Sequence, residues 1–225
     1  MKIFRIVSGL LLLMATLATA PVARAAEEMG FDIVALGDGR CAARCPRVII
    51  ARGQIGDDTA DAFLGFLKET LGGGAVKSVV LLDSPGGKVM AAMDFGRTLR
   101  RLGMAVIVAR PTEQTAASGA LAPARCYSAC VYALMGGRKR VIPPRSLVGV
   151  HRMFAYTTSF NLAEFGFERE LNLDDGEMRN TLARYSRSMG VSSDLISLAE
   201  RTSHEQLRLL TGAEIARWRL ATGRL

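Results

Sequence analysis

Histidine is almost missing from this chain: His151 and His204 are the only two among 225 residues, and cysteine is limited to Cys41, Cys45, Cys126 and Cys130. That scarcity excludes a His-rich metal site, and no glycine-rich mononucleotide loop is present. No metal or cofactor is therefore expected. The Gly-x-Ser-x-Gly elbow of α/β-hydrolases is absent as well. Beyond residue 25 there is no linker, internal repeat or low-complexity tract, so the sequence predicts one domain over residues 26–225. The only long apolar run lies before that domain. Met1 to Arg5 is basic, Ile6 to Ala20 is apolar, and Ala23-Arg24-Ala25 suits cleavage before Ala26, which predicts a signal peptide over residues 1–25 and a periplasmic or secreted product. The alternative is an uncleaved membrane anchor, although the run falls short of the roughly 20 residues of a spanning helix. No cysteine follows the run, which excludes a lipoprotein.

Removing that segment takes away Lys2, Arg5 and Arg24 and no acid, leaving 26 basic against 21 acidic residues, a net +5. The excess is modest and scattered. Outside the cytoplasm it argues against a nucleic-acid partner and is compatible with association at a membrane surface or an anionic envelope polymer. The cysteines form two matching pairs, Cys41-x3-Cys45 and Cys126-x3-Cys130. An even count in an oxidising compartment reads as two disulfides, with three connectivities open. A four-cysteine zinc site is the alternative that this spacing permits.

Hydrophobic patterning gives β over Phe31–Leu36 and Arg47–Ile55, helix over Thr59–Leu71, a continuous apolar strand over Val76–Leu82, helix over Val89–Leu102, and a strand over Met104–Ala109. This alternation predicts an α/β domain with mostly parallel strands. Arg110 to Arg125, rich in Ala, Thr and Pro, reads as a loop beside the site. Next come a short helix from Cys130 to Met135 and strands over Arg138–Ile142 and Ser146–His151. From Asn161 onward the chain reads as helical and charged, with Leu182, Tyr185 and Met189 as its apolar stripe.

The chemistry concentrates in three places. Ser128 opens a helix, where its hydroxyl meets the positive end of the dipole and the N–H of Ala129 can receive an oxyanion. Ser84-Pro85-Gly86-Gly87 follows a buried strand, and one of its glycine N–H groups can supply a second donor. His151 ends a strand, and its imidazole can take the proton from Ser128 and return it to a leaving group. His204 reads as a surface residue at a helix start.

Ser-Pro-Gly-Gly after a buried strand, then helix, strand, a serine opening a short helix and a histidine two dozen residues later resemble the ClpP-type serine peptidases of the ClpP/crotonase superfamily. The resemblance spans roughly residues 45 to 220 and includes Gly53-Gln54-Ile55 before the first helix. Cys126-x-Ser128-Ala129-Cys130, Gly136-Gly137-x-x-Arg140 and Gly149-x-His151 are similar to secreted ClpP-like proteins of bacteria. It implies a repeated β-β-α core with a C-terminal helical region, Ser128 as nucleophile, His151 as base, and Gly87 with Ala129 as oxyanion hole. It further implies that the Ser84–Val89 segment, with Gly86, Lys88 and Val89, binds an extended peptide, and that the chain forms a homo-oligomer.

The sequence departs from ClpP where an aspartate orients the histidine. Arg201 to His204 occupies that place without an acid; Ser203 lies nearest, Glu200, Asp194 or Asp174 could substitute, or the site is a dyad. A Ser-Lys arrangement, as in SppA-type peptidases, would draw on Lys88 or Lys139. The function expected from sequence is an exported serine hydrolase acting on peptides; the alternative is a catalytically inactive binding or scaffold protein of the cell envelope.

Overall fold

The computed structural model describes residues 27–37, 41, 45–70, 76–162, 165–173 and 176–223. The signal-peptide segment therefore lies outside the described residues. Among these, no helix is long and apolar enough to cross a membrane.

Strand β1 (Gly30–Ala35) runs antiparallel to β2 (Arg47–Arg52), and α1 (Thr59–Thr70) carries the chain across to β3 (Val76–Asp83), which lies parallel to β2. Helix α2 (Val89–Arg101) leads to β4 (Ala105–Ile107), parallel to β3. The strand predicted over Met104–Ala109 is broken at Val108, and its second part pairs elsewhere. The segment read as a loop is in fact built: β5 (Ala109–Pro111) and β6 (Leu121–Pro123) form an antiparallel pair around the short helix α3 (Thr115–Ser118). The Thr115 hydroxyl fixes this turn by accepting from the Thr112 N–H at 2.6 Å and donating to the Ala120 carbonyl at 2.5 Å. Small and β-branched residues that look loop-like in sequence thus satisfy one another locally.

From β7 (Arg125–Tyr127) the chain enters α4 (Cys130–Gly136), returns to the large sheet as β8 (Lys139–Val141), and leaves it as β9 (Leu147–Val150), parallel to β7. The large sheet has the order β1-β2-β3-β4-β8. One of its faces packs Phe63, Phe95, Leu134, Met135 and Leu182 into the main core, and the other carries a small cluster of Val48, Leu81, Ile107, Ala109 and Val141. Burial on both faces explains the unbroken apolar reading of β3.

The helical reading from Asn161 onward is corrected. Strands β10 (Phe154–Asn161) and β11 (Gly166–Leu173) form an antiparallel hairpin with Phe160 opposite Phe167 and Tyr156 opposite Leu171. Gly-Phe-Glu-Arg-Glu-Leu-Asn-Leu alternates with the period of a strand, and its charges had hidden that. The helices start later: α5 (Glu177–Ser188), α6 (Asp194–Arg201) and, after β12 (Arg208–Leu209), α7 (Gly212–Arg217). Leu182, Tyr185 and Met189 are buried as the stripe predicts. Strand β12 joins β9 and β7 in a second sheet of order β12-β9-β7.

Candidate active site

Two sheets meet at Ser84 and Cys126, which form an isolated parallel bridge: the Ser84 N–H donates to the Arg125 carbonyl at 2.9 Å and the Tyr127 N–H donates to the Ser84 carbonyl at 3.1 Å. This junction places the Ser84-Pro85-Gly86-Gly87 turn against the end of β7. A Cβ added to Gly86 would lie 2.9 Å from the Ser128 Cβ, 2.7 Å from the Tyr127 carbonyl oxygen and 3.1 Å from the Ala129 nitrogen. Only glycine permits that approach, and φ of +108° at Gly86 suits glycine alone. Gly87, with φ of +141°, is bridged to Ile55.

The bonds of this turn determine what is left for a substrate. Gly86 accepts from Ile55 N–H at 2.8 Å, Lys88 donates to the Ile55 carbonyl at 2.9 Å, and the Gly86 N–H is held by Ser84 Oγ at 3.1 Å. Ser84, Gly86 and Lys88 thus have backbone groups engaged within the protein, and Val89 opens α2. Among the described residues the N–H of Gly87 has no acceptor, and neither does that of Ala129. These are the two groups read from sequence as the oxyanion hole.

Ser128 sits between β7 and α4 with φ of +54°, a left-handed conformation that a non-glycine residue rarely adopts. A serine on a strained strand-to-helix turn is how a nucleophile is held clear of its own backbone. Its N–H donates to the Gly149 carbonyl at 2.8 Å, and its hydroxyl makes no hydrogen bond among the described residues. The two disulfides are Cys41–Cys45 and Cys126–Cys130. This selects one of the three connectivities and rules out the shared zinc site. The second bridge spans Ser128 and ties β7 to the first turn of α4.

His151 leaves β9 at the same end as Ser128 leaves β7, since these parallel neighbours pair Tyr127 with Gly149 and adjacent strands lie about 4.8 Å apart. The ring is half-buried, and its Nδ1 faces the Arg152 carbonyl at 2.8 Å. A ring nitrogen facing a carbonyl must carry the proton, which leaves Nε2 as the basic atom. The structure forms no Ser128–His151 hydrogen bond. The Nδ1 side of the ring therefore faces a backbone carbonyl rather than an acid. Arg152 is held in turn by donating its N–H to Thr202 at 2.8 Å and by the Glu200 carboxylate, whose Oε2 lies 3.8 Å from Nε. Ser203 and Asp194 are at the surface, and Asp174 lies outside the described residues.

The lysines stand apart. Lys88 is ion-paired with Asp57, and Lys139 lies on β8, beyond the opposite end of α4 from Ser128. His204 is in the turn between α6 and β12, not at a helix start, and its ring packs on Phe154 at 5.2 Å; Phe154 also meets His151 at 5.8 Å. Below the site, burial raises the hydroxyl pKa of both Tyr132 and Tyr185, with Glu200 adding to the effect at Tyr132, so both stay neutral. Burial lowers Arg140 to about 10, with Arg100 adding to the effect, yet Arg140 remains charged at neutral pH.

Sequence reasoning missed one group. Arg52, Arg110, Arg125 and Arg145 line a common cavity next to Tyr127. Each comes from a different segment, so only the fold gathers them.

No protein-family model matches this sequence, and no curated protein matches it. Solved structures are similar in fold. The 1510-N membrane-bound stomatin-specific protease, as a serine-to-alanine mutant, superposes with a TM-score of 0.50 at 16% identity, covering 76% of this chain and 75% of that one. Its lysine-to-alanine mutant in complex with a substrate peptide gives 0.50 at 18% identity, covering 76% and 71%. The fold is the α/β fold of ClpP-like serine peptidases.

Proposed function

We propose that this chain is an exported serine hydrolase that cleaves peptides, with Ser128 as nucleophile, His151 as general base, and the N–H groups of Gly87 and Ala129 as oxyanion hole. The observation that carries the reading is the contact of the Gly86-Gly87 turn with Ser128 and Ala129, with both donors unpaired. Nε2 of His151 takes the Ser128 proton as Oγ attacks a carbonyl carbon; the negative charge moves to the carbonyl oxygen, within reach of the two N–H groups. The proton then passes to the leaving amine, and water repeats the sequence to free the acid. The likeness to a protease seen with a substrate peptide supports a peptide as substrate. Two disulfides support an oxidising compartment outside the cytoplasm.

Assembly into a homo-oligomer belongs to the same proposal. Its support is the β10–β11 hairpin, whose one face carries Phe154, Tyr156, Phe160, Phe167 and Leu171, all exposed, with Phe167 at 77%. A two-stranded hairpin is marginal alone, and an apolar face of this extent calls for cover. The test of activity is incubation of residues 26–225 with a quenched peptide library and identification of the products by mass spectrometry. Cleavage that disappears in Ser128→Ala is expected. No cleavage by the oxidised protein, with binding retained, would favour the scaffold reading, to which the unformed Ser128–His151 bond also points.

A further inference from the structure

The cavity next to the site is built from four guanidinium groups and one carboxylate. Arg52 stands at the end of β2, Asp83 at the end of β3, Arg110 on β5, Arg125 on β7 and Arg145 in the turn before β9, around about 320 Å³. Asp83 is committed within the protein: Oδ1 accepts the Arg125 N–H at 3.2 Å, and Oδ2 lies 3.8 Å from Arg52 Nε. The side chains of Arg110, Arg125 and Arg145 make no hydrogen bond or ion pair among the described residues. Gathering three unpaired cations is repulsive, and the fold does more than tolerate it. Arg145 is held at φ of +76°, where side chains other than Gly, Asn and Asp are rare.

All four arginines are exposed, so an anion entering the cavity could pair with them, and its identity follows from position. A second cavity, of about 140 Å³, shares Arg52, Asp83 and Arg125 with the first and is also lined by Pro85 of the glycine turn and by Glu27. Arg125 is three residues before Ser128 on an extended strand, or roughly 10 Å. A polypeptide with its scissile carbonyl at Ser128 can therefore place a side chain two to four residues away into the arginines. Guanidinium groups bind carboxylates through paired N–H donors. Asp83 beside them suits a singly charged guest better than a dianion.

We propose that this cavity is a subsite for an acidic side chain of the polypeptide, so that the protein selects sequences containing Glu or Asp near the scissile bond. The proposal rests on the peptidase reading for the placement of the chain, and its test is made without turnover. Fluorescein-labelled deca-glutamate and deca-glutamine are titrated by anisotropy into the oxidised Ser128→Ala protein, residues 26–225. Deca-glutamate is expected to bind about tenfold more tightly or better. Arg125→Gln and Arg145→Asn are expected to remove most of that preference, while Arg187→Gln, on the outer face of α5, leaves it. Because Asn accepts the left-handed conformation, Arg145→Asn loses the preference without lowering the melting temperature, which separates a binding role from a folding one.

Equal affinity for the two peptides, or a preference that survives both cavity variants, overturns the proposal. So does binding to phosphatidylglycerol vesicles that falls in those variants while deca-glutamate binding does not, since the cavity would then serve a lipid. Failure of wild-type hydrolysis alongside a retained, arginine-dependent glutamate preference would defeat the peptidase reading and leave the subsite standing.

Discussion

Gly86 is the residue on which the geometry of the site turns. Its positive φ and its closeness to Tyr127, Ser128 and Ala129 leave no room for a methyl group, and the atoms it would meet are backbone or Cβ atoms that cannot swing away. Gly86→Ala is expected to lower stability by about 2 kcal/mol and to abolish reaction at Ser128, as measured by denaturant unfolding and by probe labelling. The residues of the candidate site are legible at this scale because each is tied to a local signal. Ser-Pro-Gly-Gly marks a turn, Ser128 stands in the turn just before α4, and His151 follows the end of a strand. What orients His151 was not legible. A backbone carbonyl has no side-chain identity, so a search for an acid downstream could not find the Arg152 oxygen. The arginine cavity escaped for a related reason, its four guanidiniums coming from segments that meet only in three dimensions.

At the scale of elements, α4 connects the site to the rest of the core. Its far end packs so closely on α2 that a Cβ at Gly136 would lie 2.0 Å from the Gly96 carbonyl oxygen. The buried Arg140 then fastens that end to the C-terminal region, donating to the carbonyls of Gly137 at 3.0 Å, Met135 at 3.3 Å, Met189 at 3.2 Å, Leu220 at 2.8 Å and Arg219 at 2.9 Å. Arg140→Met would take this donor from the Met135, Leu220 and Arg219 carbonyls, while Gly137 and Met189 keep Arg100, and is expected to cost about 3 kcal/mol in urea unfolding. Helix α7 offers a pH test. Thr211 and Glu214 form a capping box, and Arg208 donates to both Glu214 oxygens, at 3.0 and 2.7 Å. The Arg208 hydrogen bond, followed by the Thr211 N–H, lowers Glu214 from its ordinary 4.5 to about 2. A depressed carboxyl pKa contributes stability that is complete above pH 4.5 and disappears as pH falls toward 2. Glu214→Gln is expected to flatten that part of the stability profile, measured as melting temperature from pH 6 down to pH 2. Most helices and buried strands were readable from periodicity, as α1, α2 and β3 illustrate. The β10–β11 hairpin is not, because Glu168 and Glu170 give β11 a charged face that resembles that of a solvated helix.

The whole molecule is a five-stranded sheet covered on its main face by helices, with a second sheet set against it so that the ends of β3, β7 and β9 converge. That convergence is what brings a glycine turn, a serine and a histidine from three separate segments to one place. The exposed apolar face of the hairpin belongs to this scale too, since it projects from an otherwise buried core. If the face is an interface between copies, Phe160→Ser with Phe167→Ser is expected to convert an oligomer to a monomer in sedimentation equilibrium, with the melting temperature of the core little changed. The central claim is that Ser128 is an activated nucleophile. It is tested most directly by exposing the oxidised protein, residues 26–225, to a fluorophosphonate probe beside Ser128→Ala and His151→Ala. The account predicts covalent labelling of the wild type, none of Ser128→Ala, and labelling of His151→Ala slowed at least about a hundredfold. An unlabelled wild type, or labelling that survives Ser128→Ala, would contradict it.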